Sequence, residues 1–321
     1  MLALKEQFGS LDRAWHAPYR ELIKTPGLGK KTIQNLCEQR KQVCPIKEQA
    51  WAKSRGGRII TLADPDYPKI LRELHVPPPV IYVMGTIPRT AGIAVVGTRR
   101  PSQAGIVQAR HFGSEIAKTG IPIISGLARG IDRHAHEGAL AVGGITIGVL
   151  GSNIGAIYPA EHAALASKIS QNGAVVSEFS SVCPTVPGNF PRRNRIIAGL
   201  SRGVLVIQAG LKSGALNTAD WALDLGRDVW AVPGEISDPL RQGTNYLIKQ
   251  GAGLVTHVDD VLPTIRTDVS DEHISNSLSS QIADLYSSGS SINDISVQLG
   301  LPVQQVLAEI SRMQVEGTLK V

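Results

Sequence analysis

A doubly wound α/β domain flanked by two smaller units is the fold class this sequence predicts. Three observations carry it. Short apolar runs alternate regularly with longer amphipathic stretches between residues 93 and 258. Glycine or a small polar residue follows most of those runs. Composition shifts set this region off from a lysine-rich start and an acidic, serine-rich end.

The apolar runs are "IAVVG" (93–97), "IPIISG" (121–126), "ITIGVLG" (145–151), "AVVSE" (174–178), "GVLVIQA" (203–209), "DVWAVPG" (228–234) and "GLVTHV" (253–258). They are rich in β-branched residues and apolar almost throughout, as strands buried on both faces of a parallel sheet must be. Stretches 103–119, 132–142, 161–172 and 214–226 have helical length and periodicity. In such sheets a ligand sits beyond the carboxyl ends of the strands. That places Gly97, Ser125, Gly126, Gly151, Glu178 and a turn over 189–195 around one site.

Boundaries follow from the punctuation. "HVPPPVIYVMGTIPRT" (75–90) is too interrupted by proline for a helix and reads as an extended connector with one short strand. "TIRTDVSDEHISNSLSS" (264–280) is polar and serine-rich, a linker composition. The expected organisation is a helical domain over 1–62, an extended α/β domain over 63–265, a linker over 266–280 and a small C-terminal domain over 281–321. In the last, "SINDISVQLGLPVQQVLAEISRMQVEGTLKV" (291–321) reads as helix, turn at Gly300, second helix from Pro302 and a short strand, a pattern that suits a helix-turn-helix or winged helix.

Charge is unevenly spread over the 321 residues. Net charge is +6, with 14 Lys/Arg against 8 Asp/Glu in residues 1–85, 16 against 12 in 86–265, and 3 against 7 in 266–321. The first two regions suit a polyanion and the tail repels one. The would-be recognition helix, 302–314, has only Arg312 against Glu309, so protein contact suits it better than major-groove reading. No run approaches the ~18 apolar residues of a membrane span, and "MLALKEQFGS" lacks a basic start with an apolar core, so neither anchor nor signal peptide is expected. Cys37, Cys44 and Cys183 are odd in number and form no CxxC, which disfavours a disulfide framework and a zinc site and suits a reducing cytoplasm.

The stretch "NFPRRNRIIAGLSRGVLVIQAGLKSG" (189–214) holds four arginines and a lysine with no acidic residue. Phe190 supplies a flat ring, Arg192, Arg193 and Arg195 planar charged forks, and Asn194 an amide able to orient a base edge or sugar. With Arg99 and Arg100 of "GTRRPSQAG" (97–105) and Lys212, this is more cationic surface than a mononucleotide needs, and it suits a chain of phosphates. A ring that stacks favours single strands over duplex. The plainer alternative is a core Phe190 amid solvated arginines.

Other motifs are weaker. "IPIISGLARGID" offers Ser125 and Gly126 at a strand end, Arg129 for a phosphate, and Asp132 as the N-cap of the next helix. GxGxxG is absent and no acid ends the second strand to hold a ribose, so no dinucleotide cofactor is expected. "TPGLGKKTIQNL" (25–36) resembles a helix-hairpin-helix, whose Gly27, Gly29, Lys30 and Lys31 would give a secondary phosphate contact. His134 and His136 fall on different helix faces, which with Glu137 makes no metal site. Glu178 has no catalytic partner in sequence, so pairing with the 192–195 arginines competes with any acid–base role.

Taken in order, "VVGTRRPSQAG", "IISGLARGIDRHAHEGAL", "IYP", "VVSEF", "NFPRRNRIIAGLS", "KSGALNTADWAL" and "GRDVWAVPG" closely resemble the DNA-processing protein A family, also called Smf. That resemblance implies a Rossmann-like domain that binds single-stranded DNA, forms homodimers and loads the RecA recombinase during natural transformation, with no catalytic activity. It assigns Arg99, Ser125, Gly126, Phe190, Arg193, Asn194, Arg195 and Lys212 to the DNA pocket. Three positions depart from the family pattern. Ala156 and Gln208 stand where acids are usual, and Asn217 where an apolar residue is common. The abrupt opening at "EQFGS" suggests a late start or a naturally shortened first domain. The rival functions are a nucleotide-handling enzyme or sensor, phosphoribohydrolases among them, whose PGGxGTxxE signature is missing, and a duplex binder or general DNA-repair protein reading through its winged helix.

Overall fold

The computed structural model describes residues 2–41, 44–262, 282–283, 285–286, 290–299, 303, 306–307 and 310. The chain forms two compact units, residues 1–252 and 253–321. All of the linker 266–280 and most of the expected 302–314 helix lie outside the described residues.

The first unit opens with short helices α1 (Leu2–Phe8), α2 (Leu11–His16), α3 (Tyr19–Leu22), α4 (Lys30–Gln39) and α5 (Pro45–Ser54). Ser10 caps α2 by accepting from the Arg13 N–H, and Ala17, Leu22 and Ile33 form a small apolar cluster. Helix α5 packs against the central sheet, its Ala52 buried with Tyr82 and Val175. Its Glu48 carboxylate accepts from the Tyr82 hydroxyl at 2.9 Å, the Ser181 N–H at 2.7 Å and the Ser181 hydroxyl at 2.5 Å.

Strands β1 (Gly57–Thr61), β2 (Val80–Gly85), β3 (Gly92–Val96), β4 (Ile123–Ser125), β5 (Thr146–Val149), β6 (Gly173–Ser177), β7 (Ser201–Val206) and β8 (Asp228–Ala231) run in the order β1-β2-β6-β5-β4-β3-β7-β8. The pairs from β6 through β8 are parallel, whereas β1–β2 and β2–β6 are antiparallel. β1 and α5 therefore extend the sheet and its covering layer, where the sequence placed both inside a separate domain ending at 62. The pairing that draws them in is remote: Ile60 lies opposite Ile81, and Val83 opposite Val176.

Helices α6 (Gln103–Lys118), α7 (Ile131–Ala141), α8 (Ala163–Gln171), α9 (Asn189–Gly199), α10 (Gly214–Asp224) and α11 (Gln242–Lys249) complete the unit. Ser102 caps α6 through Gly105 N–H, and Ser213 caps α10 through Ala215 N–H. The core is the buried strand residues, among them Val96, Ile124, Ile147, Val176 and Val206, packed against Ile196, Ile197 and Ala219. The chain leaves β3 toward β4 on one side and later returns to add β7 on the other. A topological switch point thus opens beside the carboxyl end of β3.

In the second unit the expected strand 253–258 is only Gly253–Leu254. Asp260 takes the Thr256 and His257 N–H groups at 2.7 and 2.9 Å, which turns the chain into a 3-10 turn over Val258–Asp260. A helix over Ile292–Leu299 begins where Ser291 and Asp294 cap each other, and Ile282, Ile295, Val306 and Ile310 bury together.

Candidate nucleic-acid interface

At the switch point lies a cleft of about 460 Å³, lined from the β3 end by Gly97, Thr98 and Arg99, from α9 by Phe190, Arg193 and Asn194, and from the β7 end by Gly210, Lys212 and Ser213. The sequence placed 189–195 in a turn. In the structure Asn189 already begins α9, because Pro191 falls in the first helical turn, where its missing N–H is not needed. The Asn189 and Phe190 N–H groups close onto the Val186 and Pro187 carbonyls. Helical spacing then divides the cluster by side chain.

Phe190 and Asn194, four residues apart, face the cleft. Arg192 and Arg195, three apart, both reach Glu178 Oε2, at 3.0 and 2.5 Å. Glu178 is nearly buried, and Arg195 also donates to the Val76 carbonyl at 2.9 Å. The pairing reading of Glu178 is the one the geometry realises, and Arg195 is a structural strut.

Arg193 is the centre of the floor. Only 3% exposed, it donates through Nη1 to the Gly126 carbonyl at 2.6 Å and to the Val149 carbonyl. Asp132 is its counter-charge. It is not the N-cap of α7, a place taken by Gly130, but the second helical residue, and its Oδ2 accepts the Gly126 N–H at 3.1 Å. Burial pushes the Asp132 carboxyl up, partly offset by Arg193, and pulls the Arg193 guanidinium down to about 10. A side chain at Gly126 would stand 2.6 Å from both Arg193 Nη2 and Asp132 Oδ2, so only glycine leaves room for both groups there. Ser125 is fully buried, with its hydroxyl on the Val95 carbonyl at 2.6 Å, which leaves a ligand nothing to touch.

The rim differs. Arg99, Arg100 and Lys212 are exposed, and among the described residues none of them is in an ion pair. Arg129, also exposed, is held by Glu161 at 2.6 Å. Asn194 donates to the Gly214 carbonyl and to Asn217 Oδ1, both at 3.2 Å, so the unusual Asn217 serves to orient it. Gln208 is fully buried under the β3 loop. It accepts from Ser102 N–H and donates to the Ser102 hydroxyl, each at 3.0 Å, a double role that its amide fills without any charge.

Elsewhere, Lys30 and Lys31 are exposed at the start of α4, whose N-terminus at Gly29 has no side-chain cap, and Gly27 takes φ +75° in the preceding turn. His134 bonds Glu137 while His136 turns into the core onto Thr146, and no group of three metal-ligating side chains occurs among the described residues. No described helix is long and apolar enough to cross a membrane. One residue at the site went unread in the sequence: Tyr158, 46% exposed, whose ring lies 5.2 Å from that of Phe190. An aromatic beside a proline in a loop, in a chain with few aromatics, was the available signal.

These features define the class: a Rossmann-like domain with a cleft at its switch point that is edged by exposed cations and Phe190. The chain belongs to the DNA recombination-mediator protein A family, whose model matches residues 58–266. It is 44% identical to protein Smf of Escherichia coli over 67% of this chain, and spans 59% of that relative's length. The crystal structure of DNA processing protein A from Streptococcus pneumoniae superposes with a TM-score of 0.69 at 33% identity, covering 82% of this chain and 91% of that one. DNA processing protein A from Helicobacter pylori, described for its single-stranded DNA binding mode, matches at TM-score 0.58 and 30% identity over 65% of this chain and 96% of its own.

Proposed function

We infer that this protein binds single-stranded DNA along the cleft and serves as a recombination mediator, protecting incoming strands and delivering them to RecA as a cytoplasmic homodimer. The observation that carries the reading is the rim: two exposed cations without acidic partners, Arg99 and Lys212, line a cleft that also holds Phe190, and the exposed Arg100 follows Arg99 in sequence. Arg99, Arg100 and Lys212 need break no ion pair to reach a phosphate, although Arg99 lies over the Phe190 ring, whereas Arg192, Arg195 and Arg193 already hold carboxylates or carbonyls. Phosphate contact therefore rests on the rim, with Arg129 joining if it exchanges Glu161 for phosphate. Lys30 and Lys31 form a second, weaker contact. The Helicobacter relative supports the single-strand preference.

Fluorescence anisotropy of labelled oligo-dT and a matching duplex, titrated at several salt concentrations, tests this. Single strand is expected to bind more tightly, with affinity falling as salt rises. Equal or tighter duplex binding refutes the preference. RecA delivery is checked by whether the protein speeds RecA filament formation on strands already coated by a single-strand-binding protein; no acceleration refutes it.

A further inference from the structure

The stretch that leads from β6 into α9 has little apolar burial to hold it. Residues 184–188 are all exposed, and Val182 is 78% exposed. Hydrogen bonds must fix such a segment, because few apolar contacts do. At its far end Asn189 Nδ2 donates to the Pro184 carbonyl at 3.0 Å. The Asn189 and Phe190 N–H groups reach the Val186 and Pro187 carbonyls at 3.0 and 3.3 Å, so the first turn of α9 hangs on this loop. At its near end the Cys183 N–H closes a turn onto the Ser180 carbonyl, and Ser181 anchors that turn. Glu48, 133 residues earlier, takes the Ser181 N–H at 2.7 Å and the Ser181 hydroxyl at 2.5 Å. A carboxylate acceptor makes both bonds stronger than a neutral one would. Asn153 adds only long contacts, its Nδ2 lying 3.4 Å from the Ser181 and Cys183 carbonyls. Glu48 belongs to α5, which precedes the residues matched by the family, 58–266. The same helix meets the neighbouring loop, where a Cβ on Gly155 would stand 2.8 Å from Trp51 Cζ2. Arg193 does not depend on this bracing, since its carbonyl partners are Gly126 and Val149. Phe190, in the first turn of α9, does.

We propose that Glu48 is a positioning residue for the DNA cleft: by anchoring Ser181 it fixes the exposed loop from which α9 starts, and so sets the cleft-facing Phe190 in place. Helix α5 thereby takes part in binding a single strand without touching it. This role rests on the single-strand reading above. The expected loss on removing Glu48 is opposite to the effect of its charge, because deleting an acid would by itself tighten binding to a polyanion.

The test uses the full chain, labelled oligo-dT, salt titrations and thermal midpoints. Glu48→Ala is expected to weaken oligo-dT binding about 2- to 12-fold, the cost of ordering one more side chain on binding, at an unchanged salt slope. Glu48→Gln should restore wild-type affinity, since its amide oxygen accepts the Ser181 N–H and its amide nitrogen donates to the Ser181 hydroxyl. Tyr82→Phe deletes the bond between Glu48 and the sheet but leaves the loop anchored. It should lower the thermal midpoint and keep the affinity. Amide exchange over residues 180–190 of the free protein should quicken in Glu48→Ala and not in Tyr82→Phe. If Glu48→Ala is folded and binds like wild type, or if Tyr82→Phe or Glu48→Gln weakens binding as much as Glu48→Ala does, the proposal is overturned. If Glu48→Ala does not fold, Ser181→Ala takes its place, and affinity equal to that of Tyr82→Phe overturns the proposal. Failure of wild type to bind oligo-dT overturns it together with the single-strand reading.

Discussion

Arg193→Ala should behave as a folding mutation before it behaves as a binding one. The wild-type guanidinium is 3% exposed, bonds the Gly126 and Val149 carbonyls, and faces an Asp132 that is 6% exposed. Its removal strands a buried carboxylate, a change that costs about 3–5 kcal/mol. The lost charge-assisted bonds, about 1.5–3 kcal/mol each, overlap with that figure rather than add to it. The pH dependence has a definite sign. Burial already raises the Asp132 pKa in the folded protein, so its contribution to stability is greatest at low pH and falls as pH rises through the folded value. Without Arg193 the pKa rises further, and the stability lost to the mutation should be larger at pH 8 than at pH 5. Urea denaturation followed by tryptophan fluorescence reads both quantities. Arg193→Ala/Asp132→Asn should recover much of the loss, because a neutral amide still accepts the Gly126 N–H and needs no counter-charge. An unchanged midpoint, or a larger loss at pH 5, would refute the buried-pair account.

Arg99→Ala and Lys212→Ala, by contrast, should leave the urea midpoint unchanged, weaken oligo-dT binding and each flatten the salt slope by about 0.7, the value for one phosphate on a single strand. Glu178→Gln leaves Arg195 without a full counter-charge and should cost about 1–3 kcal/mol in denaturation. The same variant tests the enzyme alternative, since AMP incubated with wild type should yield no free base, and release that vanishes in the variant would establish a hydrolase. Gly126→Ala drives a methyl between Arg193 and Asp132 and should lower stability by about 1–3 kcal/mol, an effect visible as a shifted thermal midpoint.

Much of the central sheet was legible because its signals are local. Val95, Ile124, Ile147, Val175 and Leu205 sit in continuous apolar runs, and α6, α7 and α10 keep to within about two residues of their expected bounds. What escaped depends on partners distant in sequence. The antiparallel pairing of β1 with β2 leaves no mark in either segment, so the first domain boundary fell past a strand that belongs to the sheet. The site was legible as a concentration of charge but not as a sorting of it. "RRNR" does not say which guanidinium turns inward, because that depends on where the Glu178, Gly126 and Val149 oxygens arrive in space. Asp132 looked like a cap for a similar reason: Gly130, at φ +79°, takes that place and frees its carboxylate for the floor.

The separation of a buried, fully engaged floor from a rim of long unpaired side chains has an evolutionary corollary. Ser125, Gly126, Asp132 and Arg193 are interlocked, so a change in one demands a change in another. Arg99, Arg100 and Lys212 touch little that the fold requires. Grip on a polyanion can therefore be strengthened or relaxed by single surface substitutions, each passing only through well-folded intermediates. Lineages that handle DNA at different salt or for different lengths of time could retune this cleft without rebuilding the sheet beneath it.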